Sequence, residues 1–376
     1  MDGLKKFVTF RNPSQERHYT SGKRPWNALI EDYFAEKLDI TGDMETLCRR
    51  KQEFCNYKLT GDQYKFFVTH FIPEVLIHSK SLDKELVTYH YDIGNDFFEA
   101  NLGPMMIYTS AFFHKESETL EQAQQHKLEM ISKKMKLAKG QKYLDIGCGW
   151  GTLLRHASSE HGCQGTGVTL SGEQVQWINE KIKAEKLQKL CRVVHADYRD
   201  TPVDQYDRIS CIEMAEHVGV RKFQRFMRQV SSLLKDDGIF YLQIAGLRRN
   251  SDWEDVNWGL FMNRYIFRGA DASLPLSFVV NNLEKAGFEI HSVENVGIHY
   301  SITIERWHKN WLKNKDKIVK KYGERLYRIW NVFLAWSILI AENGGSTCFQ
   351  IVCNKNKKDF NRRIYIGKSD MGEARN

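Results

Sequence analysis

The sequence predicts an α/β fold with a doubly wound, largely parallel sheet, and three observations carry that expectation. A short apolar run, Tyr143-Leu144-Asp145-Ile146, breaks into the alternating glycines Gly147, Gly149 and Gly151. That is how a buried strand hands over to a tight turn whose backbone lies close to a ligand. From Lys142 onward, strand-like and helix-like periods then alternate. No apolar run approaches the roughly 20 residues that a membrane-spanning helix needs.

The elements follow in order. Lys142–Ile146 is the first strand, and Thr152–His161 is the helix that its glycine turn opens. Gln164–Thr169, Arg192–Ala196, Asp207–Ile212 and Ile239–Ile244 are the next strands. The helices Ser171–Glu185 and Lys222–Leu234 lie among them. Such alternation implies crossover connections and parallel neighbours. Two later apolar segments, Phe288–Val293 and Cys348–Cys353, complete the sheet. The stretch from about Leu247 to Gly345 is too long for a loop and is expected to form a cap. Residues 1–119 read as a helical, aromatic-rich lid over the ligand cleft, with Phe66, Phe67, Phe71 and Ile72 close together. The expected organisation is therefore a lid (1–119), a ligand-binding core (120–246), a cap insertion with the final strands (247–354) and a flexible tail (355–376).

Composition sets the class. The chain has 376 residues, 42% of them hydrophobic and 27% charged, enough for one large domain with an elaboration or for two domains. Its formal net charge of +8 favours an anionic partner, a nucleic acid or an acidic membrane surface. The eight cysteines include no C-x-x-C pair and no metal cluster, which fits reduced thiols and a cytoplasmic setting. The N-terminus lacks the apolar core of a signal peptide.

The glycine turn can be tested against known phosphate cradles. A dinucleotide fingerprint needs G-x-G-x-x-G, but Thr152 follows Gly151 here, and there is no Lys-Ser/Thr pair for a P-loop. Further candidates sit at the ends of the following strands. Thr169 and Gln174 suit ribose hydroxyls, while Asp197 and Tyr198 suit an adenine amino group and ring. Asp197 could equally cap the turn that follows it. Asp145 could order the loop or steady a ligand's ammonium group. The D-x-G-x-G pattern resembles the first motif of the S-adenosylmethionine-dependent methyltransferases, in which the glycines admit the methionine part of the cofactor.

Longer motifs sharpen the resemblance. His90-Tyr91-Asp92-Ile93-Gly94-Asn95-Asp96-Phe97-Phe98, Leu102-Gly103-Pro104, Met106-Ile107-Tyr108-Thr109-Ser110 and Glu213-Met214-Ala215-Glu216-His217-Val218-Gly219 resemble the cyclopropane fatty acid synthase family. Coclaurine-type N-methyltransferases share much of this set. Gln243–Arg248, Trp258–Asn263, Tyr265–Ser273 and Lys321–Trp330 resemble the fungal sphingolipid C9-methyltransferases in particular. The resemblance runs from about Lys23 to Asn356 and implies a Rossmann-like class I methyltransferase core whose final strand is antiparallel. It also implies that Tyr91, Tyr108 and Thr109 join Gly147 and Gly149 around the cofactor.

The implied chemistry is methyl transfer to a carbon–carbon double bond, most specifically at C9 of the sphingoid base of a glucosylceramide. A weak nucleophile of this kind needs a dry, aromatic-walled pocket, stabilisation of a carbocation, and a base. In the cyclopropane synthases a bound bicarbonate takes the proton, held by Cys, Glu, His and Tyr side chains. By motif, Glu216 matches the glutamate and Tyr300 the tyrosine. Ser110 stands where those enzymes have cysteine and Gln243 where they have histidine, the latter as in the sphingolipid branch. Glu216 and His217 could also cap the next helix, or assist amine deprotonation as in the N-methylating relatives. Cyclopropane formation on phospholipid acyl chains and amine methylation are the alternatives.

A lipid enzyme meets its substrate at a bilayer, so the expectation is a protein peripheral to a membrane. The basic stretch Arg306–Arg328, with Trp307, Trp311, Tyr322 and Tyr327, reads either as an interfacial helix or as a cap helix burying its aromatics. No nucleic-acid-binding module is present in the sequence. Self-association is left open.

Overall fold

The computed structural model describes residues 2–71, 73, 85, 86, 90–269 and 274–366. A seven-stranded sheet forms its centre. The strands are β1 (Lys142–Ile146), β2 (Gln164–Thr169), β3 (Cys191–His195), β4 (Tyr206–Ile212), β5 (Leu234–Leu247), β6 (Phe288–Asn295) and β7 (Ser346–Lys355). Their spatial order is β6-β7-β5-β4-β1-β2-β3. β1 runs parallel to both β2 and β4, β2 is parallel to β3, and β4 is parallel to β5. β7 is antiparallel to both of its neighbours. The chain starts in the middle at β1, winds outward to β3, then returns to β4 on the other side of β1. Strand order therefore reverses at β1 and β4, and a crevice opens beyond their carboxyl ends.

Every expected strand and helix of the core is present. β5 is longer than expected because β7 pairs along it from Leu247 to Ile239. Local signals set the helix starts. Ser171 accepts the Gln174 N–H at 3.2 Å, opening the helix Gly172–Ala184. A reciprocal Thr119–Gln122 capping box opens Leu120–Met135.

The long insert is not one cap. Helix Leu276–Lys285 and β6 pack into the sheet layer, which leaves the cap in two pieces. These are the helix Trp253–Tyr265, and the helices Gly297–Lys313, Lys315–Tyr322 and Glu324–Glu342. The N-terminal residues pack on this cap as far as about Phe66, rather than over the ligand cleft. Their helices Trp26–Phe34 and Met44–Phe54 lie against Glu324–Glu342. Trp26 meets Trp336 edge-on at 5.9 Å between ring centroids. Arg328 donates to the carbonyls of Tyr33 at 2.9 Å and Leu38 at 3.1 Å, and to Asp39 at 2.6 Å. The same region carries two short strand pairs that a helical reading misses: Val8–Phe10 with Leu38–Ile40, and Arg24–Pro25 with Cys55–Asn56.

Packing decides between the two readings of one stretch and corrects the expectation for another. Within Arg306–Arg328, Trp307, Trp311 and Tyr327 are 1%, 0% and 4% exposed, so this stretch belongs to three cap helices that turn these rings inward. The tail from Lys355 does not fray as far as Ile366. Phe360 is buried, Tyr365 stacks on His291 at 3.8 Å, and Arg362 pairs with Glu289 at 2.6 Å. Residues 367–376 of the expected tail lie outside the described residues, as do Ile72 and the Ala270–Ser273 end of one motif. All eight cysteines are free thiols, and no described helix is long and apolar enough to cross a membrane.

Candidate active site

Two cavities open beyond the carboxyl ends of the strands. The first, about 160 Å³, is walled by the glycine turn after β1 and by the ends of β2, β3 and β4. It brings together Tyr91, Tyr108, Thr109, Asp145, Gly147, Gly149, Thr169, Gln174, Asp197, Tyr198 and His217. These were the expected cofactor residues, together with one expected catalytic one.

The backbone here is built for close approach. Gly147 has φ +77°, and a Cβ there would meet the Met214 side chain at 2.5 Å. Gly149, at φ +53°, faces open space where a Cβ would stand. Residues 90–102 close over this turn. Trp150 Nε1 donates to Asn95 Oδ1 at 2.7 Å, and Ser171 Oγ donates to Asp92 Oδ1 at 2.5 Å.

Polar groups along the wall are already oriented. Thr169 Oγ1 donates to Gln174 Oε1 at 2.6 Å. Asp197 does cap its turn, accepting the Arg199 N–H at 2.8 Å, and also pairs with the Arg199 guanidinium at 2.5 Å, yet it still borders the cavity. Asp145 accepts from Ser210 Oγ at 2.6 Å, and burial raises its pKa to about 6. Lys127 was not singled out in the sequence. It is 2% exposed, lines this cavity and donates to Thr109 Oγ1; burial lowers its pKa to about 8 against the pull of Glu213, Cys348 and Asp145. Its signal was legible, since Ala123, Lys127 and Ile131 fall on one helix face, a lysine in an apolar stripe. Glycine cradle, oriented ribose-length polar pair and buried cation together fit S-adenosylmethionine, the cofactor that the motif implies.

The second cavity, about 490 Å³, lies between the sheet and the cap. Its walls are mostly apolar, with Phe67, Phe71, Trp258, Leu260, Phe267 and Trp307 among them. Tyr91, Tyr108, Glu213 and His217 line both cavities. Glu216 and Tyr300 line the second.

Of the four residues expected to hold bicarbonate, Glu216 and Tyr300 line the second cavity, whereas Gln243 and Ser110 border neither. Gln243 is fully buried in β5 and borders neither cavity; its Nε2 donates to Glu213 Oε1 at 2.6 Å. Ser110 is 1% exposed, and its hydroxyl donates to the Ala111 carbonyl at 3.0 Å, while its backbone N–H donates to Glu213 Oε1 at 3.1 Å. The Tyr300 hydroxyl also hydrogen-bonds Glu213. The donors that would surround a bound anion converge instead on a carboxylate of the protein. Glu213 was read only as part of a motif. A charged residue directly after a buried strand, at the reversal of strand order, was the signal available for it.

Glu216 has a different environment. Its Oε1 accepts the Ala245 N–H at 2.6 Å, and its buried Oε2 has no hydrogen-bond partner among the described residues. Burial, then the Glu213 charge, raises its pKa to about 8. His90 is driven down to about 3 by burial, so its ring is neutral.

Two outcomes follow from these environments. A Gly147→Ala substitution adds a Cβ into Met214 at a left-handed position, so calorimetry should find cofactor affinity lowered by about tenfold or more, with the fold retained by circular dichroism. The folded chain holds a proton on Glu216 that the unfolded chain loses between its ordinary value of 4.5 and about 8. Stability therefore falls as pH rises through that window, by at most about 1.4 kcal/mol per pH unit. The thermal midpoint of Glu216→Gln should fall less from pH 6 to pH 8 than that of the unaltered chain; parallel declines would show that Glu216 is not the group responsible.

Comparison with known proteins places this geometry. Residues 78–351 match the family model described as mycolic acid cyclopropane synthetase. The chain is 44% identical over 380 residues to a sphingolipid C9-methyltransferase of Komagataella phaffii, covering 98% of this chain and 78% of that protein. It is 48% identical over 345 residues to sphingolipid C9-methyltransferase A of Emericella nidulans, covering 90% of this chain and 67% of that one. A solved mycolic acid cyclopropane synthase, complexed with S-adenosylhomocysteine (SAH) and CTAB, superposes with a TM-score of 0.70 at 25% identity, covering 72% of this chain and 98% of that one. The two-cavity site thus sits on a class I methyltransferase fold, and the chain belongs to the mycolic acid cyclopropane synthetase family.

Proposed function

We propose that this chain is an S-adenosylmethionine-dependent C-methyltransferase acting on a lipid double bond, at C9 of the sphingoid base of a glucosylceramide. The observation that carries this reading is the junction of the two cavities. A small cavity with a glycine cradle and a larger apolar one share the wall formed by Tyr91, Tyr108, Glu213 and His217. A methyl donor in the first would face a hydrocarbon chain in the second.

The chain's residues divide the work by chemistry. Asp197 and Tyr198 take the adenine, Thr169 and Gln174 the ribose. Gly147, Gly149, Asp145, Thr109 and Lys127 take the methionine end, where the Lys127 ammonium suits a carboxylate. The bound cofactor supplies an electrophilic methyl group on a sulfonium. The rings of Tyr91, Tyr108, Phe267 and Trp307 exclude water and offer π-faces to a positive charge developing on the lipid.

The larger cavity also favours a lipid with a polar backbone over a plain hydrocarbon. Asn263 is 2% exposed in its wall, and neither polar atom of its amide has a hydrogen-bond partner among the described residues. Leaving both atoms unpaired costs about 1–3 kcal/mol each, which a substrate amide or hydroxyl would recover. The membrane is met near Tyr64 and Val68. They are 58% and 61% exposed and flank Phe67 and Phe71, which line the cavity. This replaces the Arg306–Arg328 stretch, whose Trp307, Trp311 and Tyr327 are inside.

Mass spectrometry of lipids from cells expressing the chain and fed deuterated-methyl methionine tests the reading. All three deuteriums should be retained on the long-chain base of a glycosylceramide. Two deuteriums on a fatty acyl chain would mean cyclopropane formation, and label on an amine instead would point to N-methylation; either would contradict the proposal.

A further inference from the structure

We infer that Glu213 supplies the anion of this reaction from the protein itself: its carboxylate faces the cation formed on the lipid chain and takes the proton that the methylated chain must lose. The inference rests on the reading above and assigns a catalytic residue within it.

Four observations converge on this side chain. Glu213 borders both cavities, so it stands where the methyl donor and the hydrocarbon meet. Its Oε1 accepts from the Ser110 N–H at 3.1 Å, Gln243 Nε2 at 2.6 Å and Cys348 Sγ at 3.6 Å, and the Tyr300 hydroxyl bonds the same carboxylate. These groups come from four separated parts of the chain, and a carboxylate so gripped cannot swing away from the junction. Its backbone is held at φ +52°, a strained position for a residue with a side chain, anchored by the Glu213 N–H on the Gln243 carbonyl at 2.8 Å. Such strain persists only where the surroundings impose it, and residues that carry it cluster at functional sites. Neighbouring Glu216 cannot do the same work, because its Oε1 is tied to Ala245 and its environment favours the protonated form.

The step balances without any further reagent. The alkene's π pair takes the methyl carbon from sulfur, whose bonding pair stays behind as the thioether of S-adenosylhomocysteine. The neighbouring alkene carbon is left positive beside the Glu213 carboxylate. The C–H pair on the methylated carbon becomes the new π bond, and its proton passes to a Glu213 oxygen, to be returned to water after the product leaves. Gln243 and Ser110 touch neither reactant and act as positioning residues, holding the carboxylate in place.

The experiment uses the purified full chain with a glycosylceramide carrying an unsaturated sphingoid base in mixed micelles, in buffer freed of carbon dioxide and then with bicarbonate added back. Turnover by the unaltered chain should be the same in both buffers. Glu213→Gln should lose about a hundredfold or more in turnover, with S-adenosylmethionine affinity changed by no more than a few-fold. Glu213→Gly should regain activity when bicarbonate or formate is added. An unaltered chain that needs bicarbonate, or a Glu213→Gln variant that keeps its rate, would overturn the inference while leaving the methyltransferase reading intact. No methylation of any lipid by the unaltered chain would overturn both. The bicarbonate comparison needs no variant, so a variant that misfolds does not protect the inference.

Discussion

The reversal of strand order at β1 and β4 dictates where the chemistry must sit. Neighbouring parallel strands whose crossovers leave in opposite directions cannot both be covered at their carboxyl ends, so a crevice opens there. The residue after β1 is Gly147, and the residue after β4 is Glu213. One offers bare backbone to a cofactor, and the other sets a charged side chain beside it. β2 and β3 extend the crevice with Thr169 and Asp197, while β5 supplies Gln243 behind Glu213. The two remaining strands extend the sheet on the other side of β5, where Cys348 of β7 reaches the same carboxylate.

A sheet with an open crevice does not by itself make a dry reaction chamber. The cap does so, and its rigidity comes from aromatic packing that joins distant parts of the chain. Trp26 from the N-terminal region and Trp258, Trp307, Trp311, Trp330 and Trp336 from the cap share one buried cluster with Phe97, Phe98 and Tyr108. Side chains of this size dominate core energetics, and they leave the larger cavity walled by groups already in place. Arg328 fastens the N-terminal region to the cap through two backbone carbonyls and Asp39. The basic surface of these helices is thus the outside of a core.

Much of this was legible in the sequence, for identifiable reasons. The ends of parallel strands converge whatever the rest of the chain does, so Gly147, Thr169, Gln174, Asp197 and Tyr198 could be placed together from their positions after strand patterns. Lys127 could have been found from its spacing in an apolar stripe. The place of Glu213 directly after β4 was legible in the same way, but the role proposed for it was not. It depends on Ser110, Gln243, Tyr300 and Cys348 turning toward one carboxylate, a long-range arrangement that residue type does not encode. For the same reason Ser110 and Gln243 were read as groups around a bound anion. The Arg306–Arg328 stretch was ambiguous in principle, because aromatics at helical spacing among lysines describe a buried stripe and a membrane face equally well. Burial of Trp307 and Trp311 decides between them.

The proposed methyl transfer crosses the wall at which the two cavities meet. Its most direct test is a crystal structure with S-adenosylhomocysteine and the lipid substrate bound together. The cofactor's sulfur should lie in the smaller cavity and the lipid double bond opposite it in the larger one, between Tyr91, Tyr108, Glu213 and His217. A lipid chain lying on the outer face of the cap, with that wall closed between it and the sulfur, would contradict it.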